Sequence, residues 1–127
     1  MINFPYQKSA LGEYFPIIEF NITHKRETVK INTLVDSGAS ISVFKPQVAQ
    51  FLNIPIEHGK EIFLGGVGGR IRGYIHNLEL EIAGKKVIAP VVFSYEYTVS
   101  LNLLGRAGVF QHFKILFDES NYLLKLT

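Results

Sequence analysis

The sequence predicts an all-β domain with one or two short helices, and three observations lead to that prediction. Several segments alternate apolar and polar residues with a period of two, which is typical of half-buried strands. Turn-forming residues separate these segments at short intervals. Only two stretches carry a helical pattern. A chain of 127 residues is sufficient for one hydrophobic core, so we expect a single domain with the bounds 1–127.

The strands are predicted from their alternation and from the turns between them. Residues 14–22 and 28–35 form two candidate strands joined across the polar sequence THKRE. The clearest hairpin covers residues 78–93, where leucine and isoleucine alternate with glutamate before an Ala-Gly turn. Residues 113–127 have the pattern of a strand, a turn and a second strand. Most of the chain is therefore assigned to short antiparallel strands.

The two helical candidates are both short. The sequence KPQVAQFLN, residues 45–53, has Pro46 where a proline fits the first turn of a helix. Its predicted apolar side consists of Val48, Phe51 and Leu52. The sequence GRAGVFQHF, residues 105–113, is compatible with one or two helical turns, although Gly108 disfavours a helix.

Composition excludes several classes of function. The net charge of +2, from 13 basic and 11 acidic residues, is too small to indicate a nucleic-acid partner. The absence of cysteine excludes disulfides and thiolate metal sites. The histidines lack the spacing of a helical metal-binding pair, so we expect neither a metal site nor a cofactor. They are His24, His58, His76 and His112.

The location of the protein is predicted from its N-terminus and its apolar runs. The sequence MINFPYQKSALGEY lacks the basic segment and long apolar core of a signal peptide. No apolar run approaches the ~20 residues that a membrane-spanning helix requires. We therefore expect a soluble cytoplasmic protein without a membrane partner.

Asp36 is the most informative residue of the chain. It is one of two aspartates, and it interrupts two apolar segments in NTLVDSGASISVF. Gly38 permits a tight turn, which would present the carboxylate at a loop tip backed by hydrophobic packing. Asp, Ser and Gly are also ordinary turn residues, so this stretch alone leaves a purely structural turn open.

Two further segments add to this pattern. In FLGGVGGRI, residues 63–71, two glycine pairs surround Val67, which is typical of a mobile hairpin tip. A phosphate-binding loop does not fit, because the Lys-Ser/Thr ending is missing and a strand pattern follows. The third segment, LNLLGRAGVF, places two leucines before Gly105 and Arg106.

Together, LVDSGAS, FLGGVGGRI and LLGRAGVF resemble the catalytic loop, the flap and the Gly-Arg motif of the retropepsin-like aspartic proteases, the single-domain family that includes the retroviral enzymes. The resemblance extends from about residue 14 to the end of the chain and leaves residues 1–13 as an N-terminal extension. It implies a closed, orthogonal β-barrel-like acid protease fold with one or two short helices, assembled as a two-fold homodimer.

The resemblance also implies an activity, that of an aspartic endopeptidase acting on peptide or protein substrates. Two carboxylates hold and activate a water molecule, and they share a proton because two like charges cannot both ionise at ~3 Å. The only other aspartate, Asp118, lies in the turn sequence FDESN without an Asp-Ser/Thr-Gly motif. The second catalytic carboxylate is therefore expected to be Asp36 of a second copy.

The remaining roles follow from the same resemblance. Loop bracing and contact with the substrate backbone fall to Ser37, Gly38 and Ala39. The flap consists of Gly65, Gly66, Val67, Gly68 and Gly69. The residues expected to support the Asp36 loop from behind are Leu103, Leu104, Gly105 and Arg106.

One position departs from the family pattern. Ser40 stands where the retroviral enzymes carry an aspartate that pairs with the arginine of the Gly-Arg motif, so Arg106 lacks its usual partner. A second function also remains open, since a fold does not determine an activity. The alternative is a catalytically inactive dimerisation or peptide-binding module with the same fold.

Overall fold

The computed structural model describes residues 1–66 and 68–127. Its strands in chain order are β1 (Ile2–Pro5), β2 (Gln7–Lys8), β3 (Tyr14–Phe15), β4 (Ile17–His24), β5 (Glu27–Val35), β6 (Ser42–Phe44), β7 (Lys60–Gly66), β8 (Gly69–Ile82), β9 (Lys85–Phe93), β10 (Asn102–Leu104), β11 (Ile115–Asp118) and β12 (Leu123–Leu126). The helical elements are α1 (Pro46–Phe51) and 3₁₀ turns at Ile56–His58, Phe110–His112 and Glu119–Asn121.

Six of these strands form one closed barrel. β4, β5, β10, β6, β9 and β8 are hydrogen-bonded in that order, and β8 pairs back onto β4. Strand β10 is parallel to β5 and antiparallel to β6, which places it between them. β7 pairs with β8 alone, so these two strands extend from the barrel as a long hairpin. The predicted all-β, barrel-like fold is confirmed.

The core is built from the alternation seen in the sequence. Along β8, Leu78, Leu80 and Ile82 are buried, whereas Glu81 between them is exposed. Aromatic side chains fill the barrel centre, where the rings of Phe44 and Phe93 pack edge to face with centroids 6.4 Å apart. Burying each such ring contributes roughly 1.5–3 kcal/mol relative to leaving it in water.

The predicted helix at Pro46 is present, but its apolar side differs from the prediction. Val48, Ala49 and Leu52 are buried against the barrel. Phe51 was predicted to join them and is instead 70% exposed. A helix this short presents only a narrow stripe to the core, and Ala49 rather than Phe51 lies within that stripe.

The segment after Gly105 does not form an α-helix. Val109 and Phe110 both donate their backbone N–H to the Arg106 carbonyl, which closes a turn, and a single 3₁₀ turn follows. Gly108 adopts a φ of +73°, which an α-helix does not allow. A Cβ at Gly108 would also lie 2.8 Å from the Ala89 Cα, so the close approach of β9 enforces glycine here.

The two chain termini form a separate sheet in the order β1, β12, β11. Leu124 and Leu126 of β12 are buried in the main core. Since β12 pairs with β1 on one edge and with β11 on the other, neither of its edges is left for a strand of a second chain. A second chain would have to use the outer edge of β1 or β11.

Tyrosines attach the N-terminal segment to this sheet. Tyr6 is buried and donates its hydroxyl to Glu119 Oε1 at 2.7 Å. Tyr14 stacks on Tyr122, with ring centroids 4.1 Å apart. Residues 1–15 thus pack on the C-terminal part of the chain, and none of them is among the described residues that line the cleft presented below.

Candidate active site

Asp36 lies at the point where β5 leaves the barrel. The preceding Val35 is buried, and its N–H donates to the carbonyl of Pro16, the residue directly before β4. On the other side of β5, the Asp36 backbone N–H donates to the Leu104 carbonyl at 3.0 Å. Asp36 is therefore held by strands on both sides, although its own side chain remains partly exposed.

The loop after β5 is closed by the Asp36 side chain. The Gly38 N–H donates to Asp36 Oδ1 at 2.9 Å, and the Ala39 N–H donates to the Asp36 carbonyl at 3.2 Å. This is the geometry of an Asx turn, in which an aspartate side chain takes the place of a backbone acceptor. It fixes the carboxylate in direction while leaving Oδ2 free of protein donors among the described residues. The loop residues Ser37, Gly38 and Ser40 are exposed.

The end of β10 braces this loop from behind. The Gly105 N–H donates to the buried Ser42 Oγ at 2.9 Å. The N–H groups of Arg106 and Ala107 donate to the carbonyls of Ala39 and Ser40, each at 2.9 Å. Two segments about 65 residues apart in the chain are thus joined by a short ladder, which restrains the loop.

Gly105 is required by the closeness of this contact. A Cβ at this position would lie 2.3 Å from the Ile41 backbone carbon and 2.4 Å from its oxygen. No rearrangement of a side chain relieves an overlap with backbone atoms. The glycine of the Gly-Arg motif therefore allows the loop and β10 to touch.

A cleft of about 470 Å³ lies between the long hairpin and the segment that leads into β10. The hairpin contributes Leu64, Gly65, Gly66, Gly69 and Ile71, and the opposite wall consists of Glu96, Tyr97, Thr98, Val99 and Leu103. Most of these side chains are apolar. Among the described residues of the lining, Glu96 is the only one that carries a charge.

The glycines of the hairpin fall into two groups. Gly68 and Gly69 have φ values of +98° and +121°, which side chains with a Cβ rarely adopt. Gly65 and Gly66 have no positive φ, and a Cβ on either would meet open space. Val67, predicted at the hairpin tip, lies outside the described residues.

Tyr97, in the wall of the cleft, is fixed by two hydrogen bonds and senses the charge of Asp36. Its hydroxyl donates to the Leu101 carbonyl, and its N–H donates to the Ser94 carbonyl at 3.2 Å. Burial, together with the nearby Asp36 charge, raises the pKa of Tyr97 to about 12. The phenol is therefore neutral at every pH at which the protein is expected to work.

Comparison with known proteins agrees with this geometry. Residues 21–107, more than half of the chain, match a family model described as aspartyl protease. The chain belongs to the aspartyl protease family. No curated protein matches the sequence.

Solved structures show which aspartyl protease fold this is. A retropepsin-like aspartic protease from Rickettsia conorii is 21% identical, with a TM-score of 0.68 and coverage of 98% of both chains. The EIAV protease in complex with the inhibitor HBY-793 is 20% identical, with a TM-score of 0.58 and coverage of 79% of this chain and 88% of that chain. At these identities the likeness shows the retropepsin fold, which the motifs predicted.

In this member of the aspartyl protease family, the structure brings together most of the predicted residues and separates a few. Leu104 and Gly105 are buried behind the Asp36 loop. Leu103 instead contributes to the cleft wall, because successive residues of β10 face opposite sides. Arg106 holds the loop through its backbone only. Its guanidinium is exposed and makes no ion pair with any described residue.

Several residues of the site were not predicted from the sequence. Ser42 accepts the Gly105 N–H, and the buried Asn102 joins Lys45 N–H to the Asn32 carbonyl through its side-chain amide. Tyr97 lies in SYEYTVSLNLL, a polar and aromatic stretch directly before the Gly-Arg motif. That departure from strand alternation was the available signal.

The described residues show no other candidate centre. Within 1–66 and 68–127, no three His, Asp or Glu side chains group together in a way that would hold a metal ion. The same residues contain no helix with the length and apolar character needed to cross a bilayer.

We expect Tyr97 to make stability depend on alkaline pH. Since its pKa in the folded state lies above the ordinary value of 10.0, folding favours the neutral phenol. That contribution is complete below about pH 10 and is lost as the pH rises through about 12. Denaturant unfolding of the wild type and Tyr97→Phe, repeated across this range, should show a smaller alkaline loss in the variant. Equal losses would contradict the assignment. Tyr6, whose pKa is also raised to about 12, continues to titrate in both proteins.

Proposed function

We propose that the protein is an aspartic endopeptidase whose active site is completed by a second copy of the chain. The observation that carries this proposal is the Asp36 loop, which holds one carboxylate at an exposed tip and braces it through β10. A structural turn would not need that bracing. The proposal treats residues 1–127 as a single domain, with residues 1–13 as its N-terminal extension.

Asp118 is not available as the second carboxylate. It lies at the end of β11, where Ser120 Oγ donates to one of its oxygens at 3.1 Å and Asn121 Nδ2 to the other at 3.0 Å. The hydrogen bond from Asn121 is the main reason why the pKa of Asp118 is lowered. Both oxygens of Asp118 thus accept hydrogen bonds within the turn. Each chain therefore contributes one aspartate, Asp36, to the proposed catalytic pair.

In the proposed dimer, the two Asp36 carboxylates meet at the two-fold axis and share one proton. The ionised carboxylate accepts a proton from a bound water molecule, which attacks the peptide carbonyl carbon. The protonated carboxylate donates to the carbonyl oxygen as the tetrahedral intermediate forms. In each subunit the Gly38 N–H, 2.9 Å from Oδ1, would hold the carboxylate in a fixed direction toward the axis.

The exposed loop residues have roles in this dimer. Ser37 and Gly38 face outward beside Asp36, so they would contact the corresponding loop of the second copy. We assign the Ser37 hydroxyl to bracing between the two loops. The Gly38 carbonyl and the Ala39 backbone are assigned to contact with the substrate.

The substrate class follows from the cleft. An extended peptide fits between the hairpin and the segment of residues 96–99, where main-chain hydrogen bonds would add a strand to the hairpin. The apolar lining by Leu64, Ile71 and Val99 favours apolar side chains at the bond that is cleaved. The hairpin acts as a flap, and Gly68 and Gly69 provide its backbone freedom.

Subunit mixing tests the shared site. Asp36→Asn is added in increasing amounts to a fixed amount of wild type, and the rate of cleavage of an unfolded protein substrate is measured after exchange. With an equal amount of variant, about half of the wild-type subunits lie in mixed dimers that hold one carboxylate, so the rate should fall to about half. Sedimentation of both proteins establishes the assembly state.

The outcomes of mixing separate the proposal from its alternatives. A monomeric enzyme would keep its full rate at every ratio, which would contradict the shared site. A wild type that binds unfolded chains without cleaving them would instead support the inactive peptide-binding module.

A further inference from the structure

The hairpin loses its barrel partner before its own strands end. The last residue pair between β8 and β9 is Tyr74 with Phe93. Beyond it, residues 69–73 of β8 pair with β7 and with no other strand of the described residues. The flap therefore leaves the barrel at Arg72 and Gly73. Gly73 is packed tightly there, since a Cβ on it would lie 2.5 Å from Val92 Cγ1.

Side chains replace the missing strand at this point. Ser94 Oγ donates to the Arg72 carbonyl at 2.5 Å, and the Arg72 N–H donates to Glu96 Oε2 at 3.2 Å. The Glu96 N–H in turn donates to Ser94 Oγ at 3.1 Å. Ser94 is completely buried. Both backbone groups of Arg72 on this edge are thus satisfied by two residues that lie just past the end of β9.

The same short segment reaches the cleft. Tyr97 donates its N–H to the Ser94 carbonyl and lies close enough to Asp36 for that charge to affect its phenol. Glu96 and Tyr97 both line the cleft. One turn of chain, residues 94–97, therefore connects the root of the flap to the wall of the cleft.

We propose that Glu96 and Ser94 are positioning residues that hold the root of the flap over the cleft. The proposal rests on the proposed function, because it assigns a role in substrate binding to the same site. Glu96 accepts a hydrogen bond from the Arg72 N–H. Ser94 holds both residues in place, because its hydroxyl donates to the Arg72 carbonyl and accepts from the Glu96 N–H. Without this contact, residues 69–73 would keep only β7 as a partner, and the whole hairpin would move away from the cleft more often.

The negative charge of Glu96 gives it a competing role. Glu96 is the only charged residue among the described residues of the cleft lining, and its carboxylate could select a basic side chain of the substrate. Arg70 and Arg72 oppose this, because they share a surface depression with Glu96 on the outer side of the hairpin. Their positive charges reduce the attraction of Glu96 for a cation.

The pair Glu96→Ala and Glu96→Gln separates an acceptor from a charge. Glutamine keeps an oxygen that accepts the Arg72 N–H, whereas alanine removes it. Losing one hydrogen bond of ordinary net strength changes an equilibrium by about fivefold. For Glu96→Ala we expect KM to rise about fivefold with kcat within about twofold, since the seated flap contributes to substrate and transition state alike. Glu96→Gln should stay within about twofold of wild type in both.

Amide hydrogen exchange of residues 64–71 in the free protein provides a readout that does not depend on activity. Exchange in the hairpin should be about fivefold faster in Glu96→Ala and Ser94→Ala and unchanged in Glu96→Gln, while exchange in β4 and β5 stays constant.

Glu96 is exposed, so its variants are expected to fold. If Glu96→Gln matches Glu96→Ala in KM and neither alters hairpin exchange, the carboxylate charge is responsible and the positioning role is wrong. If the wild type cleaves nothing but the exchange pattern holds, the proposed function fails and the positioning of the hairpin stands.

Discussion

Replacement of Asp36 by asparagine is expected to reduce peptidase activity at least about a thousandfold while the fold and the dimer persist. Asparagine is similar in size and keeps an oxygen that accepts the Gly38 N–H, which is 2.9 Å from Oδ1 in the wild type. It cannot hold or release a proton, so neither subunit could activate the water molecule. The loss of a general base of this kind is among the largest single effects in catalysis. Initial rates on an unfolded protein substrate, measured with sedimentation of the same samples, check both parts.

The matched control for this variant is Asp118→Asn. That substitution makes the same chemical change in the only other aspartate, at a turn closed by Ser120 and Asn121. We expect it to keep wild-type activity and to lower stability modestly, because the carboxylate accepts two hydrogen bonds there. If Asp36→Asn cleaves the substrate as fast as the wild type does, the measured cleavage arises from another site or from a contaminating protease. A monomeric Asp36→Asn would show that the carboxylate is needed for assembly.

Gly105→Ala is expected to lower the free energy of unfolding by about 3 kcal/mol and to abolish activity in the protein that still folds. The added methyl would lie 2.3 Å from the Ile41 backbone carbon. Either β10 or the loop must move away, and overpacking of this kind costs ~1–3 kcal/mol or more. The movement also breaks the bond from the Gly105 N–H to Ser42 Oγ, which leaves a buried hydroxyl without its donor. Urea unfolding monitored by circular dichroism measures the change.

Gly65→Ala is the control for this prediction. It adds the same methyl group to a glycine of ordinary φ, where a Cβ would meet open space. Its free energy of unfolding should stay within about 0.5 kcal/mol of the wild-type value, as is usual for a surface substitution. If both glycine variants unfold at the wild-type midpoint, the contact between β10 and the Asp36 loop is looser than the structure indicates.

The parts of the fold that were predicted correctly depend on neighbours along the chain. Strand β8 shows its buried side through Leu78, Leu80 and Ile82, because a strand exposes alternate residues to opposite faces. The turn after β8 was recognisable as Ala83-Gly84, and both residues have positive φ. The Asp36 loop was recognisable for the same reason. Its defining hydrogen bond spans only two residues, from the Gly38 N–H to Asp36 Oδ1.

The site residues that sequence reasoning missed depend on distant partners. Ser42 bonds to Gly105, and Asn102 bonds to Asn32 and Lys45. Nothing in the residues around Ser42 or Asn102 distinguishes them from other polar residues at a strand end. Their importance arises because β10 inserts between β5 and β6, which brings together backbone groups that must be satisfied once they are buried.

Local patterns in the amino-acid sequence were sufficient for most of the individual strands, the Asp36 loop, the glycine-rich hairpin and the family to which they belong. Long-range packing decided the rest. Gly108 adopts a left-handed φ, which an α-helix does not allow, and the close approach of Ala89 leaves no space for a Cβ there. The pairing of β12 with β1 and β11 uses both of its edges within one chain. The pairing of β8 with β9 stops before the hairpin ends, so the backbone carbonyl and N–H of Arg72 form hydrogen bonds with Ser94 and Glu96 instead of with a strand. Except for the hairpin of β11 and β12, which the pattern of residues 113–127 predicted, these contacts join segments that are far apart in the chain, where periodicity and turn preferences carry no information.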